Sequence, residues 1–127
     1  MIDVIVLPTQ EDQMRASNGR APENSLMFEF ATLKEVEAFN DGIGAVNDAV
    51  EYEILKETKK KLILEIAGDE IDIPFNTEAE KNAFMKGLET GDGWNSPGVY
   101  WADNDAEEFA RIMALVSKAE ETPAPKV

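Results

Sequence analysis

The side chains of this chain that could do chemistry are carboxylates, and their spacing limits what that chemistry can be. The densest run, Asp103-Asn104-Asp105-Ala106-Glu107-Glu108, places four acids within six residues. As a cation site it lacks the glycine and the twelfth-position glutamate of a calcium loop. As a helix start it is complete: acids in a first turn complement the macrodipole, and Asn104 with Glu107 has capping-box spacing. Capping, with no bound metal, is the expectation there. Glu57-Thr58-Lys59 has the E-x-K spacing of some magnesium nucleases, with Asp48 upstream as a partner. Such a site needs a central strand and an anionic substrate; here the triplet lies in an expected turn of an acidic chain. Paired carboxylates for glycoside hydrolysis exist in any acidic protein and carry no specificity. Gly91-Asp92-Gly93-Trp94 contains G-x-G, but it follows an expected helix rather than a strand, the wrong setting for a phosphate loop.

The residues that are missing narrow the field further. The 127-residue chain has no His and no Cys. Zinc, haem, blue-copper and iron–sulfur centres, a Ser–His–Asp triad, a cysteine nucleophile and a disulfide all require one or the other. No cofactor is expected. Carboxylate or magnesium-dependent chemistry remains open, but binding rather than catalysis is the expected role.

The charge is what calls for explanation. There are 26 Asp plus Glu against 12 Lys plus Arg, a formal net charge of −14. Three windows free of basic residues (35–53, 65–80 and 89–108) hold six acids each, while Lys56, Lys59, Lys60 and Lys61 cluster between two of them. Segregated negative charge attracts a basic partner by long-range steering. Carboxylates standing where phosphates would can occupy a nucleic-acid-binding protein; the plainer alternative is an acidic face that maintains solubility. The likeness to acidic nucleic-acid mimics is one of composition and rests on no motif. Trp94, Tyr100 and Trp101 fall within eight residues, beside the loop signal Asn95-Ser96-Pro97. Trp and Tyr are enriched at interface hot spots. The expected partner-binding set is therefore Asp92, Trp94, Tyr100, Trp101, Asp103, Asp105, Glu107 and Glu108. Arg15 and Arg20 are read as solvated loop arginines.

Periodicity supplies the elements. Residues 2–7 read as a strand buried on both faces, and 9–25 as a long polar loop. Leu26, Phe28 and Phe30 mark a strand; a helix follows from Thr32, capped through Glu35 and stopped by Gly42 and Gly44. Val50, Tyr52 and Ile54 give a third strand, and Leu62–Ile66 with Ile71–Phe75 a hairpin turned at Gly68-Asp69. A second capped helix starts at Thr77, a short segment covers Val99-Tyr100-Trp101, and a last helix spans about Asn104 to Ala119. The expected fold is α+β: a mainly antiparallel sheet of five to six strands, packed by two or three helices on one face. Residues 1–119 form one domain and 120–127 a flexible tail. The start of the chain lacks a signal-peptide pattern and no window is apolar enough to span a membrane, so a cytoplasmic protein is expected, monomeric or homodimeric, binding neither membrane nor nucleic acid directly.

Residues 30–43 align without gaps on 75–88: Phe, Thr, Glu, Ala, Phe and Gly coincide, and Ile faces Leu. Either the chain contains two quasi-equivalent units, or any strand–helix junction calls for these residues; the second account is the simpler. Three functional readings follow. The first is a small acidic binding module that inhibits a basic, nucleic-acid-binding protein. The second is an assembly protein docking through its aromatic loop, and the third a carboxylate or magnesium enzyme.

Overall fold

The computed structural model describes residues 1–46, 51–92, 94 and 96–121. Strand β1 (Ile2–Leu7) leads to helix α1 (Gln10–Ser17), strand β2 (Leu26–Phe30), helix α2 (Leu33–Ala45) and strands β3 (Tyr52–Thr58), β4 (Lys61–Ile66) and β5 (Asp69–Pro74). Helix α3 (Glu78–Gly91), strand β6 (Gly98–Tyr100) and helix α4 (Ala106–Glu121) complete the order. The α+β class stands, but the single sheet does not: the strands form two three-stranded antiparallel sheets, β2-β1-β6 and β3-β4-β5. The cause is long-range. After α2, β3 pairs with β4; after α3, β6 returns to β1, so neither sheet extends into the other.

Helices α2 and α3 pack with the inner faces of both sheets into the main core around Val4, Val6, Phe39, Leu62, Leu64 and Leu88. A second core forms on the outer face of the β2-β1-β6 sheet, where Ile5 and Leu7 lie under Ala16 of α1 and Ile112 and Val116 of α4. Helices thus lie on both faces of that sheet, not on one. Two other corrections concern helices. The expected loop 9–25 contains α1, capped by Thr9, whose hydroxyl accepts from the Asp12 amide at 3.0 Å. It was illegible because it has no apolar stripe; only Ala16 is a buried apolar residue. Gly42 and Gly44 do not stop α2, which runs through both to Ala45. Gly42 is there for packing, as shown next. The expected strand residue Val50 lies outside the described residues, as do 122–127, and α4 itself continues to Glu121.

The internal repeat is structural, not only local. Phe28 pairs with Val4 and Ile73 with Leu62; Leu26 pairs with Val6 and Ile71 with Leu64. The same offset of 45 carries past the helices, since Ile54 pairs with Leu64 and Val99 with Val6. A strand–helix junction alone has no reason to reproduce the register of the next strand. Each sheet therefore consists of the paired strands of one unit plus the last strand of the other. The helices meet at their quasi-equivalent glycines. A Cβ on Gly42 would lie 2.2 Å from the Phe84 carbonyl oxygen, and one on Gly87 would lie 2.1 Å from that of Phe39. Backbone against backbone leaves no room for a methyl group at either position.

Candidate functional site

Local structure accounts for many of the acids. Thr32 and Glu35 form the capping box of α2. Thr77 accepts from the Glu80 amide at 3.1 Å, while the Glu80 carboxylate takes the Asn76 amide rather than that of the cap residue. Asp105, not Asn104, opens α4, its carboxylate accepting from the Glu108 amide at 3.0 Å.

Six further acids, Glu51, Glu53, Glu65, Glu70, Glu89 and Asp92, collect at one end of the β3-β4-β5 sheet. In the register of its three strands, Glu53 faces Glu65 and Glu65 faces Glu70, a row of three carboxylates across the sheet. Like charges directly opposed destabilise a sheet, so local stability does not explain the row. Glu51, Tyr52, Glu53 and Glu65 line a cleft of about 350 Å³, and Glu51, Tyr52, Ile54 and Asp92 an adjoining one of about 480 Å³. Burial, then the charges of Asp92 and Glu89, push the Tyr52 phenol above its ordinary value. Both of those acids sit at the C-terminal end of α3, whose last turn holds no basic residue. Carboxylates there oppose the helix dipole. The lysines occupy the opposite end of the same sheet: Lys56 in β3, Lys61 in β4, and Lys59 and Lys60 in the turn between them. Sheet geometry thus separates charge along the strands.

The sequence-predicted residues are dispersed by comparison. Asp92 belongs to the acidic end through its effect on Tyr52. Trp94 is 39% exposed; residues 93 and 95 beside it lie outside the described residues. Tyr100 packs against the second core and Trp101 against the main one. Glu108 accepts two bonds from the Arg111 guanidinium, at 2.8 and 3.2 Å, and Arg111 also donates to the Ala16 carbonyl, tying α4 to α1. Asp103 and Glu107 are exposed at the start of α4. Glu51, Glu53, Glu65, Glu70 and Glu89 fall within the three acidic windows but were not in the expected partner-binding set. A two-residue turn at 67–68 would have paired Glu65 with Glu70; the β3 register, set by a distant contact, was not legible. Asp48, part of the nuclease reading, lies outside the described residues, and Arg15 holds the Ala21 carbonyl from α1 rather than lying in a loop.

Two further arrangements bear on chemistry. Lys81 is only 3% exposed, and its ammonium donates to the Glu57 carboxylate at 2.5 Å and the Thr58 carbonyl at 3.0 Å. Its quasi-equivalent residue is Val36, wholly buried. Glu57 and Thr58 lie in β3 rather than in the expected turn, and Glu57 has a structural use, holding the buried ammonium. Replacing Glu57 by Ala leaves a buried cation with one carbonyl and is expected to cost about 2 kcal/mol, since the Glu57 end of the pair is partly solvated. Lys81→Val, which copies the other unit, is expected to stay within about 1 kcal/mol of the parent in urea denaturation. The second arrangement is a pair of clefts related by the internal repeat. One, of about 260 Å³, is lined by Lys34, Glu37, Asp41, Phe75 and Glu80 among others; the other, of about 290 Å³, by the equivalents Ala79, Asn82, Lys86, Phe30 and Glu35. Burial and then the Glu37 charge raise the Asp41 carboxyl. The two clefts share a shape but not a charge pattern, so they do not constitute two like sites. Among the described residues no group of three or more acids is placed to hold a metal ion, and no helix is long and apolar enough to cross a membrane.

Compared with models of protein families, with curated proteins and with solved structures, the chain matches none.

Proposed function

We propose that this chain is a small acidic binding module that occupies the nucleic-acid-binding surface of a basic protein and so inhibits it. The observation that carries this reading is the Glu53–Glu65–Glu70 row, with Glu51, Glu89 and Asp92 around the same end. Neighbouring strands lie about 4.8 Å apart, so the row concentrates three carboxylates in a small area, which attracts a cationic surface by long-range steering. Apart from Asp92, the C-cap of α3, the acids there are not cap residues, and their placement works against the stability of the sheet and of α3. Docking through the aromatic loop is the weaker alternative, since Tyr100 and Trp101 are partly buried against the cores and Trp94 is only 39% exposed.

The test immobilises the full chain and passes over it a nuclease-treated lysate at low salt. A mimic's partner is expected to be released by raising salt and, at constant salt, by duplex DNA. Glu53→Gln/Glu65→Gln/Glu70→Gln is expected to weaken capture at least about tenfold, equivalent to about 1.4 kcal/mol. Capture of nothing, or capture indifferent to salt, DNA and the triple substitution, would overturn the proposal.

A further inference from the structure

The two sheets are quasi-equivalent, yet their outer faces have opposite fates. Through matching register, Ile5 corresponds to Ile63, Leu7 to Glu65 and Tyr100 to Leu55. On the β2-β1-β6 sheet, Ile5 and Leu7 are wholly buried beneath α1 and α4. On the β3-β4-β5 sheet, no described element packs over Ile63, which is half-buried, and Leu55 is 44% exposed. A β-bulge sharpens this: the register shifts between Ile54 and Lys56, so Leu55 and Lys56 both oppose Ile63 and turn to the same outer face. The middle of that face carries two apolar side chains, Leu55 and Ile63, with Lys56 and Asp72 opposing Ile63 from the strands on either side. The row Glu53–Glu65–Glu70, which makes no ion pair among the described residues, lies on one side of this middle, and Lys61, bonded to Asp72 at 2.8 Å, on the other. An apolar centre with a charged rim is the anatomy of a protein interface.

We infer that this outer face is the docking surface, and that it takes an amphipathic helix of the basic partner, with its apolar stripe on Leu55 and Ile63 and its lysines or arginines on the glutamate row. The inference rests on the function proposed above and adds where the partner sits and what shape it presents. A helix is the occupant because the corresponding face of the other sheet is covered by helices, α1 through Ala16 and α4 through Ile112 and Val116. Basic residues at the end of that helix complement both the row and its own dipole.

The probe is a labelled peptide of α4's length, with leucines at helical spacing and lysines confined to its last turns, set against a scrambled peptide of the same composition. Binding is read by anisotropy and located by amide chemical-shift changes. The helical peptide is expected to bind more tightly than the scramble and to shift amides of β3, β4 and β5. Leu55→Thr/Ile63→Thr, which keeps residues suited to strands, is expected to weaken it at least about tenfold. Equal binding of the scramble, shifts confined to other elements, or a dimer in sedimentation formed through β3–β5 would each overturn the inference; the shift map decides even where the double variant folds poorly. If the triple glutamine variant loses lysate capture while Leu55→Thr/Ile63→Thr keeps it, the surface is wrong and the function stands. If neither variant affects capture, the function itself fails.

Discussion

Alanine at Gly87 is expected to destabilise the protein by about 4 kcal/mol or more, a loss on the scale of a large fraction of a small domain's total stability. The added methyl would lie 2.1 Å from the Phe39 carbonyl oxygen, and about 3.0 Å from Gly42 Cα and the Ile43 amide nitrogen. All three are backbone atoms, so no rotamer change can make room; α2 and α3 must move apart, loosening Phe39, Phe84 and Leu88 in the main core. Gly42→Ala meets the same obstacle from the other side, with the Phe84 carbonyl at 2.2 Å. Because either substitution already separates the helices, the double variant is expected to cost well below the sum of the two. Gly44 provides the control. It lies one turn-half further along α2 with nothing within 4 Å of its would-be Cβ, so Gly44→Ala is expected to stabilise by about 0.5–1 kcal/mol through helix propensity. Urea denaturation of the three variants checks magnitude and sign together. A mild effect at Gly87 would mean that the close crossing of the two helices is wrong.

The second large effect is expected at Asp12, which is 2% exposed and holds the polar 18–25 segment to α1. Its carboxylate accepts from the Thr9 hydroxyl at 2.6 Å, the Glu23 amide at 2.8 Å and the Asn24 amide at 3.1 Å. Burial pushes this carboxyl upward, but these bonds, with a longer one from the Asn24 side chain, outweigh it and hold the group below its ordinary 3.8. Asp12→Ala leaves two backbone amides and a hydroxyl without their acceptor and is expected to cost about 3 kcal/mol, near 10 °C in melting temperature. The pH dependence follows from the direction of the shift. A carboxyl lowered in the folded state contributes stability above its unfolded value and loses it as pH falls through the folded one. The gap between parent and Asp12→Asn is therefore expected to be widest near neutrality and to close in acid. A gap that widened as pH fell would contradict the assigned hydrogen bonds.

Asp12 also shows where legibility ended. Helix α1 has a clear start signal in Thr9 followed by Glu11 and Asp12, but no apolar stripe, and periodicity is the signal a sequence reading depends on most. Its stability comes from a carboxylate reaching eleven and twelve residues ahead, which no local pattern announces. The glycines of α2 misled for a related reason. A glycine near a helix end reads as a stop, whereas Gly42 is conformationally ordinary and spatially indispensable. Strand–helix junctions were legible because each carries its own cap: Thr32 and Thr77 accept from the amides three residues on, as their spacing implied. The acids around α4 were legible for the same reason, with Asp105 in place of Asn104 as the cap.

Composition and local spacing alone determined the type of most elements, the absence of histidine and cysteine chemistry, and the excess of negative charge. These depend on residue identity and on contacts a few positions apart. Tertiary structure decided which acids share a surface. Strand alternation assigns a residue to one face or the other, but only the pairing of β4 with β3 on one side and β5 on the other aligns Glu53, Glu65 and Glu70. That pairing depends on β3 crossing from one unit to the sheet of the other, while α2 and α3 meet closely at Gly42 and Gly87 and both sheets share a common core. The same crossing left one sheet face covered by α1 and α4 and its counterpart open, because α1, between β1 and β2, and α4, after β6, are both attached to strands of the β2-β1-β6 sheet.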